Sequence, residues 1–154
     1  MKDSIRGMAA TTAVLLAAIA PGYTAAAATG ADPAFGVWLT RDGDARVRIG
    51  PCATDPAEAC GTIAWLRSPI DDDGKPRRDT VNSNPALKGR PLLGMPLLEA
   101  FHRTAAGRWV DGRIYDPEDG RTFRSKMSAQ PNGTLKVSGC VLMFCAGQSW
   151  SRVG

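Results

Sequence analysis

RTFRSKMSAQPNGTLKVSGCV, residues 121–141, reads as a complete β-hairpin. Before the break, Phe123 and Met127 oppose Arg124 and Lys126 with a period of two; after it, Leu135 and Val137 resume the alternation. Between them, Pro131-Asn132-Gly133-Thr134 is the strongest turn signal in the chain, because Asn-Gly tolerates the positive φ angles of a type I′ turn. Working outward, the same period marks Phe35–Thr40, Ala45–Ile49, Gly61–Leu66, Met95–Thr104 and Arg108–Tyr115, then Gln148–Val153 at the C-terminus. Strand starts near 35, 45, 61, 95, 107, 121, 134 and 147 leave one long gap and otherwise suit consecutive antiparallel neighbours. The expected fold is all-β: an eight-stranded antiparallel up-and-down barrel, whose closure leaves few exposed sheet edges.

The gap, residues 67–94, is an excursion. Asp71-Asp72-Asp73-Gly74 carries turn chemistry, and Asn84-Pro85-Ala86-Leu87-Lys88 predicts one helical turn capped by Asn84. An ordered insertion of that length in a small domain points to a lid or plug.

The N-terminus reads as a secretory signal over residues 1–27. Lys2 and Arg6 precede an apolar run from Met8 to Ala20, Pro21-Gly22 ends the run, and Ala25–Ala28 offers the cleavage site. Thirteen residues of helix reach about 20 Å, short of the ~30 Å hydrocarbon core, so no transmembrane span is expected in the mature form. Residues 28–154 then form a single barrel domain in the periplasm or outside the cell. With 154 residues the chain is too short for two separately cored domains. A net charge of +4, spread over scattered Lys and Arg without a basic face or aromatic platforms, argues against nucleic-acid binding.

Export makes disulfides the default state of the four cysteines. Three pairings are open; the local one joins Cys52 with Cys60 and Cys140 with Cys145, each bridge worth about 2–2.6 kcal/mol by loop closure. Metal binding would want CxxC-like spacing with His partners, which these cysteines lack, and no metal or cofactor is expected. Nor does a catalytic constellation stand out. His102 is the only histidine, Gly147-Gln148-Ser149-Trp150-Ser151 lacks the second Gly of a nucleophile elbow, and neither Asp-Gly cluster supplies EF-hand ligands.

Several stretches resemble the bacterial secreted family known as domain of unknown function 2147: GVWLT (36–40), CGTIAWL (60–66), NPALKGRPLLG (84–94), GRIYDPEDGRTF (112–123), LKVSGC and QSWSRV. The resemblance implies a calycin-like barrel, similar in shape to lipocalins, and no activity. Gly36-Val37-Trp38 is similar to the G-x-W that opens the first lipocalin strand. By that likeness Arg152 packs across the Trp38 face and closes one end, through a cation–π contact of ~0.5–2 kcal/mol. In lipocalins the large loop follows the first strand; here the long excursion follows the third.

Barrels of this size either fill with side chains or hold one small ligand. The inward candidates are Val47, Ile49, Ile63, Trp65, Ile114, Phe123, Met127, Leu135 and Val137, an apolar lining with room for a modest cavity. Trp65 and Phe123 are therefore candidate ligand contacts. Arg90, Tyr115 and Asp116, the polar residues of the family-specific segments, are candidates at the rim; Arg90 is expected to pair with Asp116, either as a salt bridge pinning the excursion to the barrel, the favoured reading, or in direct contact with a ligand. The leading expectation is an exported protein that binds a small apolar or amphipathic molecule such as a lipid. The alternative is a structural or protein-interaction module of the cell envelope with a solid core.

Overall fold

The structure, a computed structural model, describes residues 30–154, so the signal reading lies outside the described residues. Eight strands follow in order: β1 (Gly36–Leu39), β2 (Ala45–Pro51), β3 (Glu58–Leu66), β4 (Pro96–Ala105), β5 (Arg108–Asp116), β6 (Arg121–Ala129), β7 (Thr134–Val141) and β8 (Phe144–Arg152). Each pairs antiparallel with the next, and β8 returns to β1 to close the barrel. That last seam is short: Trp38 opposes Arg152 and Leu39 opposes Ser151. Among the described residues no helix is long and apolar enough to cross a membrane.

Two details of the hairpins differ from expectation. β8 begins at Phe144 rather than Gln148, because Val141 opposes Phe144 across a two-residue turn and the cysteines stand directly opposite each other one step further down. The Asn-Gly turn is not type I′. Gly133 alone has positive φ there (80°), and its N–H bonds to the Gln130 carbonyl. Pro131 fixes a negative φ at the first central position, giving an ordinary turn followed by a left-handed glycine. Both bridges, Cys52–Cys60 and Cys140–Cys145, are formed.

Trp65 is not inside the barrel. Arg46 opposes Trp65 whereas Val47 opposes Ile63, so Ala64 is an extra residue that resets the alternation. Trp65 stays on the outer wall, 37% exposed, with the Arg46 guanidinium 4.7 Å from its ring centroid. The interior also takes residues that strand periodicity did not assign to it. Trp38, Phe101, Trp109 and Trp150 join Val47, Ile49, Ile63, Leu98, Met127, Leu135 and Val137. Phe101 fits because Gly112 faces it: a Cβ there would lie 2.3 Å from the ring.

The meander gathers the β2–β3, β4–β5 and β6–β7 connections at one end of the barrel, where residues 30–35 also lie. This end is closed. Asp32 accepts bonds from Ala34 N, Gly107 N, Trp109 Nε1 and Arg103 Nε at 2.9–3.1 Å. Arg152 lies 4.2 Å from the Trp38 ring centroid and donates to the Phe35 and Pro33 carbonyls. Gly36, at φ 134°, leaves room for it, since a Cβ would meet Arg152 Nη1 at 2.6 Å.

Candidate functional site

The opposite end collects the β1–β2 turn, the excursion, the β5–β6 turn and the β7–β8 tip, and it forms a mouth. Inner-face residues can be followed upward from the core. Leu135 opposes Trp150 and Val137 opposes Gln148; the same face continues to Gly139 beside Ala146, then Val141 beside Phe144. On β6 it runs from Met127 through Ser125 to Phe123. Gly139 has no side chain to fill this corner; a Cβ there would sit 3.6 Å from Ile114 Cγ2 and 3.7 Å from Phe123 Cβ. Exposure rises steeply along this wall. Leu135 and Val137 are fully buried, Ile114 and Phe123 are half-buried, and Val141 and Phe144 are 58% and 80% exposed. The lower barrel is thus a packed core and the upper part an open apolar shelf. Arg121 lies over the Phe123 ring at 5.8 Å, paired with Asp119 at 3.0 Å.

One side of the mouth is braced by the excursion. Its two limbs pair with each other: Asp79 N bonds to Arg90 O at 2.9 Å, and Leu92 N to Arg77 O at 3.0 Å. Asn84 caps a single turn through Ala86 N, and Lys88 N bonds back to Asn84 O. At the centre is Asp79, fully buried. Its carboxylate accepts from Tyr115 Oη at 2.6 Å, Asn82 Nδ2 at 2.8 Å and Arg90 Nε at 3.2 Å. The Arg90 guanidinium also lies 5.2 Å from the Tyr115 ring centroid. Next to this cluster, Gly120 (φ 69°) sits under the Val81 carbonyl so closely that a Cβ would be 2.0 Å from the oxygen.

The electrostatics follow from that packing. Burial alone would raise the Asp79 carboxyl, but the bonds from Tyr115, Asn82 and Arg90 outweigh it and hold the group below the usual aspartate range. Burial and the adjoining carboxylate push the Tyr115 hydroxyl up to about 12. Tyr115 is therefore a fixed donor at neutral pH and Asp79 a fixed acceptor. The set is internally satisfied and works as a clasp.

A family model described as "Uncharacterized protein conserved in bacteria (DUF2147)" matches residues 36–152, nearly the whole described barrel. The chain belongs to this family. Among solved structures, the DUF2147 chain is similar to protein HP1028 from Helicobacter pylori, described as belonging to the lipocalin family. The TM-score is 0.64 at 19% identity, over 79% of this chain and 83% of that one, a likeness of fold. No curated protein matches.

The excursion brings Arg90 and Tyr115 together, yet not through Asp116. Arg90 is drawn to Asp79, the opposing residue of its own limb pair, which is buried and so attracts it more strongly than a solvated carboxylate. Asp116 is used locally, accepting from Glu118 N at 2.9 Å and Asp119 N at 3.3 Å to shape the β5–β6 turn. Phe123 lies on the inner wall of the mouth; Trp65 does not reach it. Sequence reasoning missed Asp79, Asn82, Val141 and Phe144. An aspartate in a segment that reads as solvated loop gave no signal of burial. The late start assigned to β8 hid the face of Phe144. His102 lies on the outer wall with Nδ1 3.6 Å from Glu58 Oε1. Among the described residues no three His, Cys, Asp or Glu side chains converge as metal ligands.

Proposed function

We propose that the protein is an exported, non-enzymatic binder of a small amphipathic molecule, gripped at the mouth of a shallow calyx. The observation that carries this reading is the apolar shelf of Ile114, Phe123, Val141 and Phe144 left open above a packed core. From the Phe144 level to the Gln148 level is four residues of strand, about 13 Å along a strand tilted by about 40°, so the shelf is roughly 10 Å deep. An apolar moiety of that length suits it better than a long acyl chain, with the polar end at the rim beside Arg121. Two formed disulfides agree with an oxidising compartment, as does the signal reading of residues 1–27.

A second reading is favoured by one observation: Trp38, Phe101, Trp109 and Trp150 fill the lower barrel, as in a module that works through its surface. Native mass spectrometry of protein isolated from its own cells decides between them. A reproducible added mass, lost in Phe123→Asp with the melting temperature within a few degrees, supports the calyx. Intact protein with no added mass supports the solid module.

A further inference from the structure

The two residues that turn β7 into β8 are Leu142 and Met143, 92% and 90% exposed, at the apex of the stretch Val141–Phe144. Leu142 holds φ 53° in a two-residue turn, where glycine is the default residue. Directly below, the Cys140–Cys145 bridge ties the strands together in register. A rigid hairpin thus carries bulky apolar side chains into solvent at a backbone position that disfavours them.

Cations outnumber carboxylates along the outer wall below this tip. Leu142 borders an outer-wall cleft of about 420 Å³ with Asp111, Arg124 and Lys126, and a second cleft of about 370 Å³ continues down the wall past Lys126, Lys136 and Arg108. Arg124 is paired with Asp111 at 3.2 Å. Arg108, Lys126 and Lys136 have no carboxylate partner among the described residues.

We propose that the β7–β8 tip docks on an anionic lipid bilayer, with Leu142 and Met143 entering the interface and the outer-wall cations meeting the headgroups. The register sets the depths. Arg124 opposes Cys140 and Lys126 opposes Ser138, roughly 7 and 13 Å of strand below Leu142. Interfacial insertion of apolar side chains reaches ~5–10 Å, which brings those cations to headgroup level. A folded protein partner fits less well. A stable interface wants about 800 Å² from each side, and a convex tip of a few side chains offers far less. Docked this way, the mouth faces the membrane. The inference does not depend on the mouth holding a ligand.

The test is co-sedimentation of the protein with phosphatidylglycerol–phosphatidylethanolamine vesicles and with pure phosphatidylcholine vesicles. The expected result is salt-sensitive binding to the anionic vesicles only. Leu142→Gly/Met143→Ser should weaken it by roughly tenfold or more, and Lys126→Ala by several-fold. Leu142→Gly relieves the left-handed backbone, so the tip variant should melt no lower than wild type, which separates lost docking from lost fold. Absence of binding to anionic vesicles overturns the proposal, as does equal binding by the tip variant. A wild-type dimer that the tip variant converts to monomer also overturns it, assigning the tip to a second copy of the chain. The assay uses protein without added ligand, so its failure leaves the reading of the mouth intact.

Discussion

The Tyr115 hydroxyl donates a 2.6 Å hydrogen bond to Asp79 Oδ1, clasping the excursion to β5 at the edge of the mouth. Asp79 holds three donors at once, so its removal strands all of them. Asp79→Ala is expected to cost about 2–4 kcal/mol in urea unfolding, because the part-buried Arg90 charge and two polar groups lose their partner together. Hydrogen exchange should quicken first at Asp79 N and Gly89 N, the amides between the two limbs.

The same pair sets the pH limits. The Asp79 carboxyl is lowered in the folded state, so its contribution is present above the ordinary aspartate value of about 3.9 and disappears as pH falls through the lower folded value. Tyr115 is raised to about 12 from 10.0, so its contribution is complete below pH 10.0 and disappears as pH climbs towards 12. Melting temperature against pH should fall at both extremes. Asp79→Asn should flatten the acid limb and, by removing the carboxylate that helps hold Tyr115 up, weaken the alkaline limb as well; Tyr115→Phe should remove the alkaline limb and weaken the acid one.

At the closed end, Arg152→Ala should cost about 1–3 kcal/mol by losing the Trp38 face and two carbonyl bonds. Gly36→Ala should cost a similar amount by a different route, since its methyl displaces Arg152 Nη1 and its φ of 134° suits only glycine. If the two act on one contact, the double variant will lose less than the sum of the singles in chemical denaturation. Full additivity would mean that Gly36 and Arg152 are independent.

Removing the Cys140–Cys145 bridge as a double Ala variant is expected to lower global stability by about 2 kcal/mol, the loop-closure value for so short a span. Equilibrium unfolding measures it. A loss near zero would indicate that the hairpin is already ordered in the unfolded chain.

Strand order was legible because it rests on period-two patterning and turn residues, which act locally; closure, which joins Trp38 to Arg152, was expected from the number of strands and from the family resemblance. The inner face of the mouth was legible only in part. Phe123 follows from alternation along β6, whereas Trp65 fails because one extra residue, Ala64, inverts the parity of everything beyond it. Asp79 was not legible. Its burial depends on the excursion folding back across β5, a contact between residues 36 apart that no local pattern announces. The packed lower barrel was hidden for a similar reason, since Phe101 enters only where Gly112 on the neighbouring strand leaves space.

The shelf at the mouth is tested most directly by amide and methyl chemical shifts during titration with a short-chain amphipath such as decanoate. Saturable shifts confined to Ile114, Phe123, Gly139, Val141, Phe144 and Ala146, with Trp38, Leu135 and Val137 unmoved, are the predicted result. Shifts centred on the lower core, or no saturable shift at any residue of the mouth, would contradict a shallow calyx.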